Sequence, residues 1–268
     1  MKYTLSILLN VFLLVFICYQ SFRHCTFSPC KSLKGNAQTV CKDAIKGNAD
    51  SQYSLGVMYY EGKDISKNYK KAIKWLTKSE ASGNIYAKDN LGWMYENGYG
   101  VEKDIKKAFN LYLDAANKGY DNAMNNLARM YLMEDSDIKD EKKALEWFQK
   151  AAELGNKYAQ NNLGKMYEYG VGTKQDFKEA FNWYEKSAAQ GYSSAQNNLG
   201  RLYQSGQGVN QNNELAFEWY EKAANQGNIF AQSNLGWMYE VGEGTKKDYD
   251  KALYWHLKSA DGEYKQEK

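Results

Sequence analysis

Few side chains in this sequence are of the types that perform covalent chemistry, and they form no pattern that such chemistry requires. The chain has two histidines, His24 and His256. The string S-P-C-K at residues 28–31 fits the S-x-x-K pattern of penicillin-recognising enzymes, but no K-T-G partner accompanies it. The motifs H-E-x-x-H, G-x-x-x-x-G-K-[ST] and G-x-S-x-G do not occur. We therefore predict a non-enzyme, with no catalytic residue, no cofactor and no metal site.

All four cysteines lie at or before position 41. In an exported chain, cysteines in a short segment usually form disulfides. We expect a disulfide between Cys30 and Cys41, which would close a loop over the start of the folded region. A metal site is the alternative, and it would need His24 as its fourth ligand at irregular spacing.

The best candidate for a binding function is a column of asparagines that recurs every 36 residues. Its members are Asn90, Asn126, Asn162, Asn198 and Asn234. Asparagine amides both donate and accept hydrogen bonds, so a row of them can hold the backbone of an extended peptide. The alternative is that these amides bridge neighbouring turns within the scaffold.

A second column changes residue type from repeat to repeat, so packing does not require an aromatic residue there. It carries Trp93 and Trp237 in two units and a base in three others, Arg129, Lys165 and Arg201. Tryptophan is enriched among the residues that dominate binding at interfaces. If exposed, the tryptophans would be partner anchors and the bases would form a stripe between them. A different tryptophan column is expected to lie in the core between repeats: Trp75, Trp147, Trp183, Trp219 and Trp255.

The strict periodicity of the sequence reveals the repeating structural units that position these columns. Leucine recurs at 36-residue steps at Leu55, Leu91, Leu127, Leu163, Leu199 and Leu235. Tyrosine and alanine columns keep the same step, starting at Tyr59 and Ala72. A fixed period of this length is typical of a solenoid, because one unit cannot bury its apolar face alone.

Each unit is predicted to contain two helices joined by a glycine turn. In the second unit, the apolar residues of the segment 86–96 follow a 3.6-residue period. Gly98 and Gly100 can adopt the positive φ angles that a helix stop and tight turn require. Asp104 is the expected N-cap of the second helix. The third unit lacks these glycines, so we expect a less regular turn at residues 133–139.

These residues resemble the Sel-1-like repeat (SLR) family, which is related to the tetratricopeptide repeats. The fifth unit matches the family pattern at Ala195, Leu199-Gly200, Tyr203, Gly206, Gly208-Val209, Ala216, Trp219-Tyr220, Ala223-Ala224 and Gly227. The resemblance implies an all-α, right-handed α-solenoid of six 36-residue helix-turn-helix repeats. In tetratricopeptide-like superhelices, the first helices line the concave face. Some cysteine-rich relatives bind or hydrolyse penicillins.

The chain divides into segments on this basis. In order, they are an N-terminal signal or anchor (1–20), a cysteine-containing linker (21–36), a half-repeat cap (37–47), six repeats (48–83, 84–119, 120–155, 156–191, 192–227 and 228–262) and a polar tail (263–268). The run 5–19 is apolar and follows Lys2, as in a secretory signal, and it is short for a spanning helix. We expect an exported protein, periplasmic, envelope-associated or secreted, with the segment either cleaved or kept as an anchor.

The charge balance narrows the choice of partner. The chain has 35 basic and 32 acidic residues, and no dense basic block marks a nucleic-acid surface. We therefore predict a scaffold or adaptor that binds a protein or peptide through its concave face. Membrane contact is expected only through the N-terminal segment. One alternative is an envelope protein that binds or hydrolyses a β-lactam or cell-wall ligand; another is self-association through the last helix.

Overall fold

The computed structural model describes residues 30–134 and 137–266, with side chains described as far as residue 262. These residues form thirteen α-helices and no strand. The helices are α1 (Gly35–Ile45), α2 (Ala49–Glu61), α3 (Tyr69–Ala81), α4 (Ile85–Asn97), α5 (Ile105–Asn117), α6 (Asp121–Tyr131), α7 (Glu141–Glu153), α8 (Lys157–Tyr169), α9 (Phe177–Ala189), α10 (Ser193–Ser205), α11 (Asn213–Asn225), α12 (Ile229–Val241) and α13 (Tyr249–Gln266).

The described residues fall into two compact units, one ending at Leu111 and the other beginning at Tyr112. In each unit, the helices that pack most closely are neighbours along the chain: α1 to α4 in the first unit and α6 to α13 in the second. This nearest-neighbour packing is characteristic of a solenoid, in which no central core gathers distant segments. The fold is therefore the all-α solenoid expected from the sequence.

Glycine ends the first helix of a repeat as predicted. Gly98 caps α4 in the left-handed conformation (φ 72°), and its N–H donates to Met94 O. Gly100 also has a positive φ, 75°. The Asp104 carboxylate accepts a 2.9 Å hydrogen bond from Lys107 N and so begins α5. Where these glycines are missing, α6 is two residues shorter and ends at Tyr131.

The second glycine of the turn also allows one repeat to approach the next. A Cβ added to Gly172 would lie 2.5 Å from the carbonyl oxygen of Glu141, at the start of the preceding second helix. Gly100 approaches the backbone of Tyr69 in the same way. The first repeat has Asp64 at this position, with a φ of 62°. The segment just before α1 lies beside this turn, since Leu33 and Lys34 line a pocket together with Asp64.

Small and large residues alternate through the core. The leucine column is at most 3% exposed, and Ala72, Ala108, Ala144, Ala180 and Ala216 are fully buried. Buried glutamines connect consecutive helices: Gln160 Nε2 donates to Ala152 O at 3.1 Å, and Gln232 Nε2 donates to Ala224 O at 3.2 Å. These two carbonyls also accept hydrogen bonds from the backbone N–H groups of Gly155 and Gly227, so each glutamine adds a second bond at a helix end, where the carbonyls lack partners within the helix.

The two ends of the described chain differ from the interior repeats. A disulfide joins Cys30 to Cys41 and ties the segment before α1 to that helix. At the other end, α13 continues past the predicted repeat boundary at Gly262 and ends at Gln266. Gly262 arrives one residue earlier than the closing glycines of other repeats. It lacks the positive φ of Gly191 and Gly227 and lies within the helix.

Candidate partner-binding face

The asparagine column links one repeat to the next. Asn162 Nδ2 donates to Asn125 Oδ1 at 3.0 Å, and Asn198 Nδ2 donates to Asn161 Oδ1 at 3.0 Å. Asn234 repeats the contact with Asn197 at 3.1 Å. In the second repeat, Asn90 Nδ2 lies 3.4 Å from the hydroxyl of Tyr53 in the first repeat. Asn126 lies beside Arg129, whose Nη1 is 3.4 Å from Asn126 Oδ1. The column therefore has a scaffold role, and its binding role stays a prediction.

Part of this column lines a groove across three consecutive first helices, α8, α10 and α12. We call it the first-helix groove; it has a volume of about 450 Å³ and is lined by Lys165, Tyr169, Ser194, Asn197, Asn198, Arg201, Asn228, Ile229, Phe230, Ser233 and Asn234. Four of the residues predicted from the sequence meet here: Lys165, Asn198, Arg201 and Asn234. Its volume is within the range of about 300–1,000 Å³ that is usual for ligand sites.

Two aromatic residues of the groove were not singled out by the sequence reasoning. Tyr169 is 65% exposed and Phe230 is 66% exposed. The equivalent positions in neighbouring repeats include Ser205 and Ser194, so the fold does not require an aromatic ring at either place. For Tyr169 this departure from the repeat pattern is the identifying signal, whereas Phe230 belongs to a column that is also aromatic and exposed at Tyr86 and Tyr158. Exposed aromatic side chains beside polar groups are frequent anchors at interfaces.

Arg201 is held by a carboxylate beneath the groove. Its Nη2 lies 2.6 Å from the carboxylate of Glu168, whose side chain is 2% exposed. The hydroxyl of Tyr184 donates to the same carboxylate at 2.7 Å. Burial, together with the hydrogen bond to Glu168 and its negative charge, raises the pKa of Tyr184 well above its usual range. Arg201 is therefore partly neutralised, unlike Lys165, which is exposed and forms no ion pair within the described residues.

The two tryptophans proposed as anchors have different surroundings. Trp237 is 42% exposed on α12. Trp93 is half-buried, and its Nε1 donates to the hydroxyl of Tyr60 at 2.9 Å. Arg129 is exposed on α6. The structure thus leaves Trp237 accessible, whereas a polar contact holds Trp93 against a neighbouring helix.

Comparison with known proteins gives the family. The Sel1 repeat model matches six consecutive segments: 49–84, 85–120, 121–156, 157–192, 193–228 and 229–264. The chain belongs to the Sel1 repeat family. Proteins with Sel1 repeats generally serve as scaffolds for protein interactions.

Solved structures of similar proteins share this architecture. A Sel1 repeat protein from Oxalobacter formigenes is 33% identical over 82% of this chain and 89% of its own, with a TM-score of 0.77. The protective antigen c5321, present in uropathogenic Escherichia coli strains, is 33% identical with a TM-score of 0.73. That match covers 85% of this chain but 49% of the antigen.

A shorter match concerns one repeat. A sel1-like repeat-containing protein of Acanthamoeba polyphaga mimivirus is 56% identical over 36 residues. These residues are 13% of this chain and 6% of the viral protein. The chain therefore spans a small part of that curated relative, and the likeness extends to the repeat alone.

The tryptophans of the second helices are less buried in these Sel1 repeats than the sequence suggested. Trp75 and Trp255 are buried, but Trp147, Trp183 and Trp219 are only partly covered. A lysine three residues later lies over each ring, at distances from Nζ to the ring centroid of 3.8–4.9 Å. This spacing places the two side chains on the same helix face, so each lysine covers a face of the tryptophan ring.

The last Sel1 repeat exposes apolar side chains on its second helix. Tyr249, Leu253 and Leu257 follow one another at four-residue spacing on α13, and each is exposed. In interior repeats, the position of Leu253 contacts the next first helix, as Phe217 does with Tyr239 at 5.2 Å between ring centroids. Self-association through this helix stays a prediction.

Several features expected from the sequence fall outside the described residues. They are the segment 1–20, Cys18, Cys25, His24 and Ser28. Within residues 30–134 and 137–266, no group of three or more His, Cys, Asp or Glu side chains has the arrangement of a metal site. None of the helices in these ranges combines the length and apolar character of a membrane span.

Proposed function

We propose that this protein is a non-enzymatic scaffold that binds an extended segment of a partner protein in the first-helix groove. The observation that carries the proposal is the convergence of polar amides, bases and exposed aromatics on three consecutive first helices. Scaffold packing explains the buried columns, but it gives no reason for Tyr169 and Phe230 to project into solvent. Trp237, exposed on the same helix as Phe230, extends the surface.

Photo-crosslinking tests this proposal directly. A photoreactive amino acid is placed at Phe230 in the full-length chain, and in a matched variant at Lys178, which is exposed on second helix α9. We expect discrete protein adducts from position 230 that are absent from position 178. Tyr169→Ala should weaken those adducts without changing the circular dichroism spectrum. Identical adducts from both positions, or none from position 230, would contradict the proposal.

We further propose that the protein acts outside the cytosol, in the envelope or after secretion. Two features support this: the apolar N-terminal run and the Cys30–Cys41 disulfide, since disulfides persist in oxidising compartments. Thiol labelling in intact cells provides the test. Cys30 and Cys41 should resist a maleimide reagent until a reductant is added, and the protein should fractionate with the envelope or the medium. Labelling of both thiols without reduction, in a cytosolic fraction, would refute it.

A further inference from the structure

Charge is unevenly distributed between the two helices of a repeat. The first helices α8, α10 and α12 carry the bases Lys157, Lys165 and Arg201, and the acids Glu168 and Glu240. Both acids have partners within the protein: Glu168 is bonded to Arg201 and Tyr184, and Glu240 lies 3.5 Å from His256 Nε2. No aspartate or glutamate lines the first-helix groove. A chain that is close to neutral overall therefore has a locally basic groove.

The amides of the groove retain hydrogen-bonding capacity after linking the repeats. Asn198 and Asn234 donate to the preceding repeat through Nδ2, and within the described residues their Oδ1 atoms accept no hydrogen bond. Asn197 accepts through Oδ1, and its Nδ2 donates none. An N–H donor and C=O acceptors thus remain available in one groove. These are the complements of the C=O and N–H groups of a peptide backbone.

The aromatic side chains give the groove an apolar contact beside its base. Tyr169 lies one turn after Lys165 on α8, and Phe230 lies near the start of α12. Because residues four apart share a helix face, a ligand group near the Lys165 ammonium would also be close to the Tyr169 ring. The groove therefore combines a cation, backbone-binding amides and aromatic surface.

From this combination, we infer that the first-helix groove selects acidic peptide segments in which an aspartate or glutamate adjoins a large apolar residue. The carboxylate lies against the Lys165 ammonium, since Glu168 already pairs with the Arg201 guanidinium. The peptide backbone bonds the Asn197, Asn198 and Asn234 amides. The neighbouring apolar side chain packs against Tyr169 and Phe230. The inference deepens the proposed function and rests on it.

A peptide fits these observations better than a nucleic acid does. Nucleic-acid surfaces rely on several phosphate contacts, and this groove has one base free of an internal ion pair among its described residues. A single charge-assisted contact beside aromatic surface suits an isolated carboxylate. The preference for acidic over neutral peptides should come from the Lys165 ammonium group. Its removal should therefore abolish this preference without abolishing all peptide binding.

The test is selection from a random 12-residue peptide library displayed on phage, using the full-length chain. A Tyr169→Ala/Phe230→Ala variant serves as the negative bait. We expect the wild type to enrich peptides with aspartate or glutamate next to an aromatic or aliphatic residue. A selected peptide, labelled with fluorescein, is then compared with its twin in which Asp and Glu are replaced by Asn and Gln.

Fluorescence anisotropy should show at least about tenfold weaker binding of the amide twin, because a charge-assisted hydrogen bond contributes on the order of one tenfold step in affinity. Lys165→Gln should remove this difference, whereas Lys178→Gln, which deletes a charge on a second helix, should retain it. Enriched peptides without an acidic excess, or equal binding of both twins, would overturn the acidic preference and leave peptide binding intact. No enrichment over the negative bait would overturn both proposals.

Discussion

Replacing Gly172 with alanine tests how consecutive repeats come together. Gly172 has a φ of 67°, and its α-carbon faces the start of α7 in the preceding repeat. An added Cβ would lie 2.5 Å from Glu141 O and 2.8 Å from Glu141 C. Both atoms belong to the backbone, so no side-chain rotation can relieve the contact. Either the turn or the helix start must move.

The expected loss has two parts that a matched variant separates. A left-handed conformation costs an alanine about 1–2 kcal/mol. Displacing well-packed backbone adds about 1–3 kcal/mol. Gly191 also has a positive φ, 80°, but a Cβ there would meet nothing within 4 Å. Gly191→Ala should therefore show only the conformational part, and Gly172→Ala should show both.

Urea unfolding of the full-length chain, followed by far-UV circular dichroism and tryptophan fluorescence, measures the difference. We expect a lower midpoint for Gly172→Ala than for Gly191→Ala, and faster hydrogen exchange in the amides of α7. Asp64→Gly calibrates the conformational part, because Asp64 adopts a φ of 62°. Removing its Cβ should raise the free energy of unfolding by about 1 kcal/mol. Equal losses for the two glycine variants would refute the close-approach argument.

Two other predictions concern the disulfide and the buried Tyr184. Reduction of Cys30–Cys41, or the double Cys→Ser variant, should destabilise α1 by about 2–3 kcal/mol, because the loop closed by the bond spans 11 residues. Hydrogen exchange of the α1 amides measures this loss, and unchanged protection of those amides would contradict it. Burial raises the pKa of Tyr184, so the folded protein keeps a proton that the unfolded chain loses above pH of about 10. The stability that this tyrosine contributes is complete below that pH and falls as the pH rises. Between pH 8 and 11, the urea midpoint of Tyr184→Phe should therefore fall less steeply than that of the wild type. Parallel curves for the two proteins would disprove the link between stability and the ionisation of Tyr184.

The turns and helix caps could be predicted from the sequence because they depend on interactions between residues that are close in the chain. The turn glycines and the Asp104 cap follow from backbone conformational preferences within a few residues. The leucine and alanine columns follow from the need of each unit to bury one face against its neighbours. The third repeat shows the same logic, since α6 ends early where the glycine turn is missing.

Contacts between repeats were harder to foresee. Asn162 and Asn125 are 37 positions apart, and neither side chain alone tells which way its amide points. The ion pair of Glu168 with Arg201 spans 33 positions. Glutamate recurs in the Glu168 column at Glu96 and Glu240, but the Arg201 column holds tryptophan at both of those repeats, so the columns alone do not identify the pair. Trp183 was expected in the core because of its size, but Lys186 covers a face that packing leaves open. These outcomes depend on the distance between stacked helices, which the periodicity does not specify.

Because of the paired asparagines, the number of repeats in part of this molecule can change while the hydrogen bonds between repeats are kept. Asn161 and Asn162 stand side by side: the first accepts from the following repeat, and the second donates to the preceding one. The two repeats that contain Asn161–Asn162 and Asn197–Asn198 therefore each carry both halves of the joint. A unit inserted or removed between Asn125 and Asn234 would leave every remaining joint complete, while lengthening or shortening the row of first helices by one. Under the proposed function, the length of peptide that the row of first helices accommodates would thus change by whole units, with the chemistry of each unit unaltered.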